Sequence, residues 1–342
     1  MKAAIVESPG KLLVRDIPSP QPGPYGALCQ LLYGATCSGT DLHLIADKMP
    51  WKVQYPMVLG HESVGRVIAV GEKVRTFKIG DLVSRVGTPP VPEIGMNISW
   101  GGFCELGVAF DHRAMRQDGL PAEQWKGYRI HQVIPSQIHP AAATMTITWR
   151  ETLSYSRRLG ITKGSKVLVL GSGGNALAFI SHARNLGATH IATTGSPSRA
   201  DVSRAAGATH VLDYRDPDLE SNLRSACGKF DVLIDAVGKS GEVDRVLPLL
   251  RSGAVIGIYG LDDFDNLKIS PLRASGSFTV YADGYDEEET HDEVMSRIVD
   301  GSLDASIWLD LEHPFDLDHI ADAFDAIRSK RLVKALIKLS AD

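Results

Sequence analysis

Residues 166–176 read KVLVLGSGGNA, and the reading of this stretch decides the fold. Val167, Leu168, Val169 and Leu170 are consecutive and apolar, the pattern of a strand buried on both faces of a parallel sheet. Gly171, Gly173 and Ala176 then fall on the G-x-G-x-x-G/A spacing. The first permits a tight turn, the second lets backbone approach a pyrophosphate, and the third packs helix on strand. Gly174 and Asn175 open a helical pattern whose N-terminus favours phosphate. An ordinary strand-to-helix turn could look the same. The alternation that follows decides the matter: strands are predicted over 190–194, 210–212, 231–234, 254–259 and 277–281, separated by helices over 175–186, 199–206, 217–227 and 241–250. That is the pattern of an α/β, doubly wound parallel sheet. Gly171, Gly173, Gly174 and Asn175 are therefore candidate cofactor-binding residues.

Outward from this centre the sequence changes character. Residues 1–36 alternate short β-prone runs with the turn-rich PSPQPGPYG, and residues 37–48 turn helical. Val64, Val67, Ile68 and Val70 mark a strand, GGFCELGVA marks another, and residues 110–128 read as a polar insertion near a substrate entrance. Helical periodicity over 140–160, closed by Gly160, marks the domain crossing. The tail reads as a helix and then the strand LVKALIKL, returning to the first domain. Two domains are expected: a β-rich domain of residues 1–147 completed by 285–342, and a dinucleotide domain of residues 148–284.

Composition narrows the function classes. The 342 residues are 44% hydrophobic and 23% charged, with a net charge of -5 and scattered Lys and Arg, which argues against a nucleic-acid partner. No apolar run is long enough to span a bilayer, so no membrane partner is expected. MKAAIVESPG reads as strand and turn, with no secretory segment, and a cytoplasmic location is expected. Cys29, Cys37, Cys104 and Cys227 are dispersed without a C-x-x-C pair.

Five stretches carry a resemblance: GHESVGRVIAVGEKVRTFKIGD at 60–81, CSGTDLH at 37–43, GGFCE at 101–105, GSGGNA at 171–176 and FDLDHIADAF at 315–324. Together they resemble the medium-chain dehydrogenase/reductase superfamily, in its zinc-dependent alcohol, polyol and sugar dehydrogenase branch. The resemblance implies a GroES-like β-rich catalytic domain beside a Rossmann domain. It also implies hydride transfer between a secondary alcohol (polyol, sugar or cyclitol) and NAD(P). Hydride leaves an alcohol easily only from the alkoxide, and zinc supplies that state by Lewis acidity. By motif, Cys37, His61 and Glu62 are the implied ligands, and Asp41 orients His61. In the resembled enzymes a hydroxyl at the Thr40 position takes the substrate proton and passes it through the nicotinamide ribose to a histidine at the His43 position. The bland alternatives are a buried thiol, a turn histidine and a helix-capping threonine.

The chain departs from the family pattern in places. Cys37-Ser38-Gly39-Thr40-Asp41 is one residue longer than C-G-T-D. Counting from the upstream strand selects Cys37, and counting back from Asp41 selects Ser38. Cys37 is preferred because serine is a feeble zinc ligand, with a one-residue bulge to restore the reach. The family's further ligand should fall near Thr146 or Ile147, which coordinate poorly. Glu151 is one substitute, and a helix-face glutamate paired with Arg150 or Arg158 is the other reading. No cysteine lies in TPPVPEIGM at 88–96, so one catalytic and no structural zinc is expected. The acid that holds the adenosine ribose in NAD-specific folds is replaced by Gly195. Ser196, Ser198 and Arg199 offer donors for a 2′-phosphate, which favours NADP(H) over NAD(H). Lys334 is assigned to the pyrophosphate by resemblance alone. Trp51, Trp100 and Trp149 are candidate pocket walls, with core packing as the alternative. A homodimer or homotetramer acting on a small alcohol or sugar is implied. A zinc-free NADPH-dependent quinone or enoyl reductase of the same superfamily is the first alternative, and a non-catalytic dinucleotide-binding protein the second.

Overall fold

Apolar strands alternating with helices bury both sheet faces only in a parallel arrangement. Residues 148–286 form one. In the computed structural model, which describes residues 1–340, Lys166–Leu170 pairs in parallel with His190–Gly195 on one side and Phe230–Asp235 on the other. His210–Asp213 extends the first side, and Leu250–Ile258 with Phe278–Tyr281 extends the second. The six strands thus follow the 3-2-1-4-5-6 order of a Rossmann sheet. Strand order reverses between Leu170 and Asp235, and in such sheets ligands bind beyond the carboxyl ends at that point. Leu168, Leu233, Ile256 and Phe230 are fully buried between the helix layers.

The other compact unit comprises Met1–Ile147 and Glu287–Asp342. Its larger sheet is built on the long strand Gly26–Ala35, which pairs antiparallel with Glu62–Val70, with Leu106–Phe110 and with the C-terminal strand Leu336–Lys338. A smaller sheet holds Lys2–Ser8, Lys11–Asp16, Met57–Val58 and Asn97–Ile98. The core between them includes Ile5, Leu31, Val58, Phe103, Phe324 and Ile337. The tail therefore completes the first sheet, as the apolar LVKALIKL suggests.

The insertion at 110–128 is not irregular. Asp111 caps the helix His112–Gln117 by accepting from Ala114 N at 2.9 Å, and it also accepts from Arg75 N and Thr76 N. Short helical pieces follow at Ala122–Trp125 and Lys126–Ile130. Pieces of four to six residues are too short to show a helical period in a sequence. Glu288, at the chain's return to this unit, ion-pairs with Arg129 and lies 3.3 Å from His112. No helix among the described residues is long and apolar enough to cross a membrane.

Leu233 lies at the centre of the six-stranded sheet. Leu233→Ala is expected to cost about 2–5 kcal/mol of unfolding free energy, read by urea denaturation, because that packed layer has little room to collapse.

Candidate metal and cofactor sites

Strand register assembles the site. Ala35 pairs with Glu62 on one side and with Leu336 on the other. Cys37, two residues beyond Ala35, is thereby set beside His61 and Glu62, and Lys334, two residues before Leu336, beside both. Thr36 locks the third strand in place: its N–H donates to Ala335 O at 3.0 Å, and its hydroxyl accepts from Ala335 N at 2.9 Å. Gly60 sets the approach to His61. Its φ is +96°, and a Cβ there would lie 2.5 Å from the ring of buried Phe103.

Cys37 Sγ, a His61 ring nitrogen and a Glu62 carboxylate oxygen lie within 4.8 Å of one another, and all three residues are buried. Cys37, in extended backbone at φ -112° and ψ 107°, immediately precedes the helix Ser38–Ala46. The structure brings Cys37 to the group, and Ser38 is the first residue of the helix. The expected bulge is not beside it: Ser38 and Gly39 are taken into the first helical turn, and the irregularities of the preceding strand fall at Leu28/Cys29 and Leu31/Tyr33. Asp41, fully buried, serves both neighbours. Its Oδ2 accepts from Cys37 N at 2.8 Å, and its Oδ1 lies 3.2 Å from His61 Nδ1. This turns His61 Nε2 toward Glu62 Oε1, 3.8 Å away. Burial pulls the His61 pKa down, but the Asp41 carboxylate and then Cys37 outweigh it, and the imidazole sits well above the ordinary histidine value. A thiol, an imidazole and a carboxylate on one buried point, with a carboxylate behind the histidine, are a donor set that fits zinc.

Lys334 and Glu151 each have protein partners. Lys334, expected at a pyrophosphate, is buried and points into this group. Its Nζ donates to Glu62 Oε1 at 2.6 Å, to Oε2 at 2.5 Å and to Thr36 O at 3.1 Å. Burial lowers its pKa and Glu62 raises it, with Cys37 and Asp41 adding to the rise, so the ammonium is retained. Its reason is electrostatic: a carboxylate as buried as Glu62 needs a cation. A lysine set between apolar residues in LVKALIKL was the signal for such a partner. Glu151, weighed as a further ligand, instead accepts from the Tyr259 hydroxyl at 3.0 Å, while Thr146 donates to Ala143 O at 2.7 Å. Cys37, His61 and Glu62 are the one ligand-type group of three or more among the described residues.

Thr40 and His43 follow on the same helix. Thr40 Oγ1 accepts from Cys37 Sγ at 3.7 Å, and His43 Nδ1 contacts Gly39 O. Of the candidate wall residues, Trp149 is core, Trp51 is exposed, and Trp100 packs against His61 with ring centres 5.2 Å apart.

At the nucleotide turn Gly171 has φ +113°, Gly173 caps the helix Gly174–Asn185, and Asn175 lies in its first turn. Gly173 has open space where a Cβ would point. Ser172 Oγ accepts from Ser196 N at 3.2 Å, and a Cβ at Gly195 would lie 2.5 Å from Ser172. Ser196 and Ser198 hydroxyls are 2.9 Å apart, and half-buried Arg199 follows. Partial burial lowers the Arg199 pKa, and it stays a cation.

Lys334→Met would leave Glu62 buried without its cation. We expect the chelator-treated variant to lose about 3–5 kcal/mol of stability in urea denaturation.

The chain is similar to known dehydrogenases. Residues 27–116 match the alcohol dehydrogenase GroES-like domain, and residues 176–296 match the zinc-binding dehydrogenase family. Sorbitol dehydrogenase of Ovis aries is 26% identical, covering 98% of this chain and 95% of its own. L-galactonate-5-dehydrogenase of Escherichia coli (strain K12) is 25% identical, covering 98% of each chain. Among solved structures, a zinc-binding dehydrogenase from Sinorhizobium meliloti 1021 bound to NADP superposes with a TM-score of 0.79 at 22% identity, covering 98% of each chain. The 2R,3R-butanediol dehydrogenase from Bacillus subtilis superposes with a TM-score of 0.81 at 21% identity, covering 99% of each. The chain belongs to the zinc-type alcohol and polyol dehydrogenase family of the medium-chain dehydrogenases/reductases, enzymes that use a nicotinamide dinucleotide.

Proposed function

We propose that this chain oxidises a secondary hydroxyl of a polyol, sugar or cyclitol with NADP(H) in preference to NAD(H), using one catalytic zinc held by Cys37, His61 and Glu62. The observation that carries the reading is the convergence of these three donors within 4.8 Å at a buried point. Three protein donors are the count of a catalytic zinc site, which keeps a position for substrate. Zinc held there supplies Lewis acidity that lowers the pKa of the substrate hydroxyl toward neutrality.

The chain's own residues do the rest. Asp41 fixes the ring of His61 and, through the Cys37 N–H, the backbone at the thiol. Lys334 holds Glu62 in place and offsets its charge. Thr40, one helical turn from Cys37, receives the substrate proton, and His43 on the same helix passes it toward solvent. Support for the polyol class comes from the sorbitol and galactonate dehydrogenases to which the chain is similar.

Cofactor preference rests on Gly195. The space that an acidic side chain would need is taken by Ser172, so a carboxylate for the adenosine ribose does not fit without a shift. Ser196, Ser198 and Arg199 present hydroxyls and a guanidinium suited to a 2′-phosphate. The NADP-bound Sinorhizobium meliloti neighbour is consistent with this. We also place the protein in the cytoplasm as a homodimer or homotetramer.

Protein purified without added metal is expected to carry about one zinc per chain by mass spectrometry. Cys37→Ala should lose both the zinc and turnover; retained zinc would remove Cys37 as a ligand, and a zinc-free active wild type would make the quinone or enoyl reductase the better reading. Arg199→Ala should raise the KM for NADP roughly tenfold or more and leave that for NAD nearly unchanged. An unaltered NADP/NAD ratio would remove the phosphate assignment.

A further inference from the structure

Two bulky residues near the metal group stand in left-handed backbone: Arg85 at φ +57° and Trp100 at φ +70°. Such positions are strained and persist only where the surroundings over-determine them. Here they do. The Trp100 carbonyl oxygen is wedged so close to Gly87 that a Cβ there would come within 1.9 Å of it. The guanidinium of Arg85 lies over the indole, 5.6 Å from its centre, and is itself tied by a buried ion pair to Glu287. The indole in turn lies against the ring of His61 at an interplanar angle of 48°. A tryptophan held this firmly would ordinarily be core. Trp100 nevertheless keeps 41% of its surface exposed, beside a histidine that keeps 5%. Burial therefore does not account for the strain, and a positioned apolar surface next to the ligands does.

We propose that the exposed indole surface of Trp100 is a stacking platform for ring-shaped substrates, a cyclitol or the pyranose form of a sugar; this rests on reading Cys37, His61 and Glu62 as the zinc site. A chair-form ring has an apolar face of C–H bonds and a polar edge of hydroxyls. Laid on a flat aromatic surface, the C–H face removes apolar area from water while an edge hydroxyl reaches the metal group. An open-chain polyol has no persistent face to match and would lose rotational freedom to form one. Trp100 thus selects rings over chains within the polyol class, and Arg85 with Glu287 are positioning residues that hold it.

The test compares kcat/KM for the rings myo-inositol and glucose with that for sorbitol in the zinc-loaded wild type, Trp100→Ala and Trp100→Phe. In parallel, NMR follows the upfield shift that an indole face imposes on the ring protons of bound myo-inositol. Trp100→Ala should lower kcat/KM for a ring roughly tenfold and for sorbitol far less. Trp100→Phe should recover most of the loss, and the upfield shift should vanish in the alanine variant with zinc content unchanged. Equal losses on rings and chain, no loss on either, or no upfield shift in the wild type would overturn the platform. If the wild type binds no zinc and turns over no alcohol, the metal reading fails, and the NMR shift still decides whether Trp100 stacks a ring.

Discussion

The buried carboxylate of Glu62 is the constraint on which the first unit is built. A charge out of water is tolerated only with a partner of opposite sign and satisfied oxygens, and Lys334 provides both through bonds to the two carboxylate oxygens. Everything that brings Lys334 there becomes part of the site: the antiparallel pairing of Leu336 with Ala35, the double bond between Thr36 and Ala335, and the helix Ile320–Arg328 that leads into the final strand. Asp41 plays the corresponding part for His61 and for the backbone at Cys37. In the group, Glu62 is held by Lys334, and His61 and the backbone at Cys37 are held by Asp41. A preorganised set of this sort spends little on rearrangement when a cation enters.

The dinucleotide half was legible because its signals are local. Fully buried parallel strands are apolar runs of four to six residues, glycine marks most of the turns, and the helices between carry their own period. The catalytic half was legible as motif more than as structure. Its strands pair across long intervals, so their partners cannot be counted from spacing, and the short helices after Asp111 are hidden by the same shortness that makes them depend on tertiary support. Cys37 and Ser38 could not be separated by counting, and they differ in backbone: extended at Cys37 and helical from Ser38, which sends their side chains to different places. The role of Lys334 was beyond the sequence for a simpler reason. A lysine in an apolar strand says that a carboxylate is near, without saying which.

The nucleotide turn shows a different economy. Gly195 gives up the acid that many such folds place at the end of the second strand, and the vacated volume is filled by Ser172, which also receives the Ser196 N–H. The turn and the neighbouring strand end are thereby coupled through one hydroxyl. On the far side of the switch point Asp235 does similar work, its Oδ1 accepting from Val237 N and Gly238 N, with burial raising the pKa of its carboxyl. Short polar side chains, a serine hydroxyl on one side and the Asp235 carboxyl on the other, shape the carboxyl edge of this sheet.

The partnership of Glu62 with Lys334 spans 272 positions. During synthesis, the strand carrying His61 and Glu62 emerges long before the strand that carries the lysine, with the whole second unit made in between. At about 5–20 residues per second that interval is on the order of tens of seconds. The nascent chain therefore passes through a stage in which the acid has no lysine to meet. During that stage its carboxylate must stay hydrated, be protonated or take a cation from the surroundings. The order of translation thus leaves an interval in which this acid is without its lysine, and that interval ends when the C-terminal segment docks.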